Sequence, residues 1–315
     1  MTSAPVSDVQ AAPSAWTRAQ AKLNLRLHVL AREVSGYHSI ETVFHRVDFG
    51  DDVTVTLAPA GRRTIATTMD VGPPEQNLAL RAATLFCEMR GWPTGFHIEL
   101  RKRIPAGGGL GGGSADAAAT LRVLNALAPD ALRVRDPREL LPLARKLGAD
   151  VPFLVTDAVM AFAWGHGDRM LLLPPLPVRH VALLFPPFAM QTADAYAAVS
   201  EAISRGRHAL FNPPVAFPVG DLAGWSPQVA GPPATWWTTN DFALALTLET
   251  RAAATRAMEA VAAAGARFGG MTGSGSTLFA IFEDSPDAGA LERATGCRVE
   301  VTRTADAVEP VHLSD

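Results

Sequence analysis

The sequence has few cysteines, no long apolar run and no excess of positive charge. Its two cysteines, Cys87 and Cys297, are too few for a disulfide framework or a cysteine-rich metal site, and each lies in an apolar periodic segment. We therefore expect buried thiols in a reducing, cytoplasmic compartment. Glycine, proline or charge interrupts every apolar stretch before it reaches the roughly 20 residues of a membrane helix. A net charge of −3 argues against a nucleic-acid partner.

The N-terminal residues also lack a targeting pattern. They carry acids and prolines instead of the basic and then apolar regions of a secretory signal, so we expect residues 1–18 to form a flexible tail. The remaining chain has the composition of a globular protein, with 48% hydrophobic and 19% charged residues and no internal repeat. Its length favours two domains, which we place at residues 19–175 and 176–315, on either side of a Pro-Pro pair.

A glycine-rich stretch at residues 104–121, IPAGGGLGGGSADAAATL, is the most informative part of the sequence. Glycines permit positive φ and have no Cβ to obstruct a ligand, and the alanine-rich run after them predicts a helix with Ser114 as its N-cap. The first turn of a helix offers unpaired N–H donors and the positive end of the helix dipole. The stretch therefore predicts a phosphate-binding site.

Several phosphate loops and one structural alternative are compatible with glycine at this density. A Walker loop is excluded because no lysine lies in the run or directly after it. Residues 107–112 satisfy GxGxxG, but a charged run and Pro105 separate them from the preceding strand, and the acid at the right distance, Asp130, falls in a Pro-Asp turn, so a dinucleotide oxidoreductase is not favoured. A loop that closes over a nucleoside triphosphate remains, beside a flexible linker. The flanking strand and helix favour the loop.

Periodicity predicts strands and helices in mixed order. Strict alternation in residues 21–30 predicts a strand with Lys22 and Asn24 on its polar face, which is either functional or simply solvated. Residues 53–57 and 64–69 are predicted to be antiparallel partners, and residues 96–100 form a further strand that leads to the glycine loop. Strands that cluster before helices favour an α+β fold.

Capping residues mark several helices. Asn77 is predicted to cap a helix that ends near residue 90, and Asp136 is predicted to cap one that ends near residue 148. Pro142 either kinks the second of these helices or marks its true start. Thr192 is a predicted cap further along the chain. Residues 203–239 are rich in proline, glycine and tryptophan and are assigned no regular structure.

Three short segments contain candidate functional residues. Tyr37 and His38 follow a turn, where they can meet a planar base or pack in the core. Asp150 lies between a helix-ending glycine and a proline predicted to hold Val151 extended, so it is either a general base or a turn former. The turn at residues 273–275 can contact a phosphate or serve as a plain β-turn.

Together these stretches resemble the GHMP family of small-molecule kinases. The residues that carry the resemblance are AKLNLRLHV, SGYHSIETVF, NLALRAA, IPAGGGLGGGSADAA, LGADVPFLV and MTGSGSTLF, which occur in the family's order from residue 21 to residue 282. The resemblance implies a two-domain α+β fold with the active site in the cleft between the domains. Within the family, the sequence resembles in particular the branch that phosphorylates the 2-hydroxyl of a cytidine-diphosphate-linked methylerythritol in non-mevalonate isoprenoid synthesis.

The resemblance also implies roles for individual residues. It implies ATP and Mg²⁺ as cofactors, Asp150 as general base and Lys22 as its partner. The loop implied to wrap the ATP phosphates comprises Gly107, Gly108, Gly109, Leu110, Gly111, Gly112, Gly113 and Ser114. The implied substrate site comprises Asn24, Tyr37, His38, Thr192 and Tyr196. Because glycines stand where the wider family has serines, no residue is assigned to the metal.

The alternatives to this function are a GHMP-type kinase of another small alcohol and a nucleotide-binding regulator without turnover. Lys22 and Asp150 are both retained, which counts against the regulator. The expected partner is a small-molecule substrate, with neither nucleic acid nor membrane, and the protein is expected to be a monomer or a homodimer.

Overall fold

The computed structural model describes residues 12–32, 38–205 and 240–314. Within these ranges the chain forms two antiparallel-rich sheets with helices packed on them. The α+β prediction is confirmed. Tyr37 and most of the segment assigned no regular structure lie outside the described residues.

The first sheet is built on two long paired strands. β1 (Ser14–Arg32) runs antiparallel to β2 (His38–Ala58), with register shifts on both sides of Lys22 and Asn24. Its first five residues fall in the predicted tail, which is wrong there: Ala15 and Thr17 are fully buried. Small side chains such as these give little apolar signal in the sequence.

The remaining strands of this sheet are arranged around β2. β4 (Gly95–Arg101) pairs with the second half of β2, and β5 (Met160–Gly165) pairs with the first half and with β6 (Arg169–Leu173). β3 (Arg63–Thr67) pairs in parallel with β4. The predicted antiparallel pairing of β3 with β2 is wrong, because β1 and β4 already occupy both edges of β2 there. The C-terminal strand β11 (His312–Ser314) pairs with β1.

Helices cover one face of the first sheet. They are α1 (Leu78–Met89), α2 (Gly112–Leu127), α3 (Leu141–Leu147) and the five-residue α4 (Val151–Val155). Asn77 caps α1, as predicted, and accepts a hydrogen bond from the Ala79 amide. Asp136 forms the predicted capping box, but on a short 3-10 helix, Pro137–Leu140. α3 then starts anew with Pro142 in its first turn.

The second sheet comprises β7 (His180–Phe185), β8 (Phe268–Met271), β9 (Leu278–Phe282) and β10 (Arg298–Arg303). Its strands lie in the order β10, β7, β9, β8. α5 (Thr192–Ser204), a 3-10 helix (Asp241–Ala245), α6 (Leu248–Ala263) and α7 (Ala288–Thr295) complete the described chain. None of the described helices has the length and apolar character that crossing a bilayer requires.

The two sheets bury an apolar layer between them. Leu23 and Leu25 of β1 pack there with Leu183 and Ile281 of the second sheet. The polar side chains of β1 point the other way, toward the glycine loop and the helices. β1 is therefore buried on both faces, and the possibility that Lys22 and Asn24 lie on a solvated face is wrong: each is at most 3% exposed.

Candidate active site

Lys22 is a buried lysine at the bottom of a cleft. Its Nζ donates to Asn24 Oδ1 at 2.7 Å and to the carbonyl of Gly109 at 2.9 Å. It also lies 5.6 Å from the centre of the Phe44 ring. The Lys22 amide donates to the Leu110 carbonyl, so strand and loop are joined by backbone as well as side chain. These contacts hold the ammonium group in one place.

Asp150 faces this lysine from the other wall of the cleft. Its Oδ2 is 3.4 Å from Lys22 Nζ, and 27% of its side chain is exposed, against 4% for the lysine. Asp150 adopts a helical conformation and is the N-cap position of α4. The prediction that Val151 is extended is wrong, because Pro152 fits the first turn of a helix that begins at Val151. The structure thus brings together the two residues expected to catalyse the reaction.

The glycine loop passes directly over this pair. Gly107, Gly109 and Gly111 all have positive φ, between 72° and 76°. A Cβ at Gly111 would lie 3.0 Å from Lys22 Cε and 3.3 Å from Asp150 Oδ2, so only glycine leaves the pair undisturbed. Gly111 is also the N-cap of α2, and the prediction that Ser114 fills this position is wrong. Glycines at the start of α2 let the helix begin earlier and leave its first amides accessible.

A second glycine turn packs against the first. A Cβ at Gly109 would lie 2.2 Å from the Thr272 carbonyl oxygen, and one at Gly273 would lie 2.5 Å from the Gly109 carbonyl oxygen. Asn24 joins the two turns, because its Oδ1 accepts from Lys22 Nζ and from the Gly273 amide at 2.9 Å. Its Nδ2 donates to Thr42 Oγ1 at 2.7 Å. Both ends of the Asn24 amide are therefore used in holding the cleft together.

Aromatic groups line the cleft beyond Asp150. The rings of His38 and Tyr196 stack with centroids 4.9 Å apart, and Phe242 packs edge-on against Tyr196. His38 Nε2 also forms a hydrogen bond with Ser200 Oγ. Burial, with a smaller contribution from Asp150, raises the pKa of Tyr196 to about 12, so its phenol is neutral at physiological pH.

Thr192 lies at the start of α5 beside the second glycine turn. Its hydroxyl is 3.0 Å from Ser274 Oγ, which links the helix to the turn. The predicted cap is displaced by one residue, since Gln191 is the N-cap and forms no side-chain capping bond. Thr192 and Tyr196 nevertheless line the same cleft as Lys22 and Asp150.

A second charged cluster lies beneath the glycine loop and was not predicted from the sequence. Lys102 Nζ bonds to Asp51 and, at 2.6 Å, to Asp116 Oδ2, and all three side chains are at most 4% exposed. Within the described residues, Asp116 Oδ1 is buried and has no hydrogen-bond partner. Burial raises the pKa of Asp116 to about 7, although Lys102 opposes the shift. Burial alone would lower the pKa of Lys102, but Asp116 and Asp51 together raise it.

Two adjoining cavities form the cleft. One, of about 530 Å³, is lined by the glycine loop, Lys22, Asp150, Lys102 and Asp116. The other, of about 1020 Å³, is lined by His38, Tyr196 and residues 145–149. Ala149 and Tyr196 line both cavities, so two ligands bound in them would meet near Asp150.

Comparison with known proteins agrees with this architecture. Residues 77–162 match the GHMP kinases N terminal domain, and residues 240–299 match the GHMP kinases C terminal domain. The chain is 36% identical over 277 residues to a 4-diphosphocytidyl-2-C-methyl-D-erythritol kinase of Chlorobium luteolum. The aligned region covers 88% of this chain and 91% of that protein. A protein of the same name from Paraburkholderia phytofirmans is 45% identical over 179 residues, 56% of this chain and 59% of that protein.

Solved structures give the same result. A crystal structure of 4-(cytidine 5'-diphospho)-2C-methyl-D-erythritol kinase superposes with a TM-score of 0.69 and 35% identity over 91% of this chain and 98% of that one. A homoserine kinase from Cytophaga hutchinsonii, at 17% identity, shares the fold with a TM-score of 0.62, covering 99% of this chain and 100% of that chain. Because both family domains match and a relative is 36% identical over 88% of this chain, the chain belongs to the GHMP kinase family.

Proposed function

We propose that this protein transfers the γ-phosphoryl group of ATP to the 2-hydroxyl of 4-diphosphocytidyl-2-C-methyl-D-erythritol, a step in non-mevalonate isoprenoid precursor synthesis. The observation that carries the proposal is the meeting of Lys22 and Asp150, 3.4 Å apart, under a glycine loop at the start of a helix. The names of the relatives that match most of the chain support this choice of substrate.

In the proposed reaction Asp150 accepts the proton of the substrate hydroxyl. The hydroxyl oxygen forms a bond to the γ-phosphorus, and the bond from that phosphorus to the β–γ bridging oxygen breaks to release ADP. Lys22 stabilises the negative charge that develops on the attacking oxygen. Phosphoryl transfer depends mainly on positioning and charge stabilisation, and general-base catalysis contributes about 10²–10⁴ in rate.

The glycine loop and α2 would hold the triphosphate. The loop, residues 107–114, presents backbone amides, and the first turn of α2 adds unpaired N–H groups and the positive end of its dipole. The cation that the loop itself lacks would come from β1, since Lys22 Nζ reaches the loop and donates to the Gly109 carbonyl.

The residues near the loop also fit Mg²⁺, which binds oxygen ligands and commonly takes one or two carboxylates together with nucleotide phosphates. Asp116 offers a buried carboxylate oxygen that lacks a hydrogen-bond partner among the described residues, and Ser114 adds a hydroxyl in the same cleft. With Lys102 between two carboxylates, the cluster has a formal charge of −1 when both are ionised. Mg²⁺ would neutralise phosphate charge during transfer.

The second cavity would accept the cytidine diphosphate part of the substrate. His38 and Tyr196 provide aromatic faces and a ring nitrogen that can recognise a base. Thr192 and Asn24 line the first cavity, together with Tyr196. Tyr37 stays a predicted substrate contact outside the described residues.

A panel of alcohols tests the proposal. We expect ADP release with the cytidylated substrate and much slower release with homoserine or mevalonate, and we expect Asp150→Asn to lower kcat about 10²–10⁴-fold while ATP still binds. Full activity in Asp150→Asn would remove the general base. Faster turnover of another alcohol would reassign the substrate, and nucleotide binding without ADP release across the panel would favour the regulator.

A further inference from the structure

Arg46 is a buried cation that the proposed reaction does not use. It is 2% exposed, and its guanidinium forms no ion pair within 4 Å among the described residues. Burial lowers its pKa to about 9, although the charge of Asp157 is near enough to oppose the shift, so it stays charged at neutral pH. A buried charge without a counter-ion is costly unless hydrogen bonds satisfy it.

The hydrogen bonds of Arg46 go to the carbonyl end of α4 and the turn that follows. Nη2 donates to the carbonyls of Leu154 at 2.9 Å, Thr156 at 3.0 Å and Phe153 at 3.3 Å, and Nε donates to that of Ala158 at 2.9 Å. The last carbonyls of a helix lack intrahelical partners, so Arg46 acts as the cap of this helix.

The opposite end of α4 is Asp150. The helix has five residues, and a helix of this length is not stable by itself. Its N-terminal end, which positions the carboxylate, is therefore only as fixed as the contacts that hold the rest of it. One rigid guanidinium donates four bonds at its C-terminal end, where the amide and hydroxyl of Thr156 also donate to the Phe153 carbonyl.

The same strand pair also holds Lys22. Arg46 of β2 is the cross-strand partner of Lys22 of β1, and directly paired residues lie on the same face of a sheet. A stack of rings connects the two cations: Lys22 lies over Phe44, Phe44 stacks on Phe153 at 5.1 Å, and Arg46 lies 5.1 Å from the Phe153 centroid. The register of β1 and β2 therefore fixes the position of Lys22 directly and that of Asp150 through Arg46 and α4.

We propose that Arg46 is a positioning residue that holds the Asp150 carboxylate opposite Lys22 by capping the far end of α4. The inference rests on the proposed function, because it assigns Asp150 the role of base. Arg46 touches neither substrate nor nucleotide in this scheme and acts through the helix alone.

Four variants test the inference: Arg46→Met, Arg46→Lys, Asp150→Asn and the double variant Arg46→Met with Asp150→Asn. Displacing a catalytic group by about 1 Å can cost about 10²-fold in rate, so we expect Arg46→Met to lower kcat about 10- to 100-fold with the KM for ATP changed less than about twofold. Arg46→Lys keeps the positive charge but loses the planar set of guanidinium donors, so its kcat should lie between those of Arg46→Met and the wild type. ADP release gives both constants.

The double variant separates positioning from general stability. If Arg46 acts through Asp150, adding Arg46→Met to Asp150→Asn should lower kcat by less than about twofold, whereas independent effects would multiply. Arg122→Met is the matched control, because Arg122 is a neighbouring arginine whose Nη2 donates at 2.8 Å to the Glu309 carbonyl and not to α4. It should leave kcat unchanged.

The inference is overturned if Arg46→Met keeps wild-type kcat, if its effect multiplies with that of Asp150→Asn, or if Arg122→Met lowers kcat as much. If Arg46→Met does not fold, Arg46→Lys decides, and wild-type kcat in that variant overturns the inference. A fully active Asp150→Asn would instead contradict the proposed function, so the two failures are distinguishable.

Discussion

Two lysines lie beside the glycine loop, and they differ in the carboxylates they face. Lys22 is 3.4 Å from Asp150, whose side chain is 27% exposed. Lys102 is enclosed between Asp51 and Asp116, whose side chains are at most 4% exposed. Both lysines are buried to the same extent, so the difference lies in the acids.

This difference in exposure indicates different roles for the two lysine–carboxylate groups. Asp150 is reached from the cleft, so a substrate hydroxyl can approach it. Asp51 instead accepts the amides of Arg103 and Ile104 and so fixes the segment that enters the loop. We interpret the first pair as the reacting one and the second as the pair that shapes the loop. One buried Asp116 oxygen has no hydrogen-bond partner among the described residues.

The largest effect should come from removing the enclosed lysine. Lys102→Met leaves two buried carboxylates without their cation, and breaking such a pair costs about 3–5 kcal/mol of unfolding free energy. Lys22→Met should cost about 1–3 kcal/mol, since it leaves two acceptors unsatisfied but Asp150 can be solvated. Denaturant unfolding measures both. Equal losses would contradict the comparison.

The reacting pair should show its importance in rate. Lys22→Met should lower kcat about 10²–10³-fold, the loss typical for one donor that stabilises developing negative charge. The control is Arg63→Met, which removes an exposed ion pair with Glu88 and should leave kcat at the wild-type value. ADP release in the folded proteins is the measurement, and retained activity in Lys22→Met would show that the pair does not react.

A methyl group inserted over the reacting pair should separate backbone strain from contact. Gly111→Ala and Gly61→Ala both place alanine at positive φ, which costs about 1–2 kcal/mol in stability. No atom of the described residues lies within 4 Å of a Cβ at Gly61, whereas a Cβ at Gly111 touches Lys22 and Asp150. Only Gly111→Ala should therefore lower kcat, by about tenfold or more if the pair shifts by a fraction of an ångström. Equal kcat in the two variants would rule out this contact.

The enclosed cluster should also make stability depend on pH. The pKa of Asp116 is raised from its ordinary value near 4 to about 7, so the folded state binds this proton more tightly than the unfolded state. The stabilisation it provides is present at low pH and is lost as pH rises through about 7. The side chain introduced in the variant Asp116→Asn does not titrate. Between about pH 5 and pH 7.5 the unfolding free energy of the wild type should therefore fall relative to that of the variant. A constant difference across this range would contradict the shift.

Local signals in the sequence predicted much of the fold. Asn77 and Asp136 cap helices because an Asx side chain beside an apolar period is sufficient for that geometry. The partner of β3 could not be predicted in this way, since pairing depends on which edges distant strands have already taken. The early start of α2 was not predicted, because Gly111 has no side chain for a capping hydrogen bond and Ser114 offered one three residues later.

The site shows the same division. Lys22 and Asp150 were predicted as a pair through the family resemblance, while the alternation of β1 left the role of Lys22 open. Two features of the sequence could have identified the enclosed cluster. Lys102 follows Phe96, Ile98 and Leu100 at the two-residue spacing of a strand, so its side chain falls on the same buried face. Asp116 lies in a run of buried alanines. Neither signal shows which carboxylate reaches the lysine, because Asp51 is 51 positions away in the chain.

The interlocked turns at Gly109 and Gly273 limit how this protein can be redesigned. Every side chain larger than hydrogen at either position would overlap a carbonyl oxygen of the opposite turn. A combinatorial library aimed at new acceptors should therefore leave both codons fixed and diversify the surrounding wall, beginning with Thr192 and Ser274, two polar residues that line the same cavity.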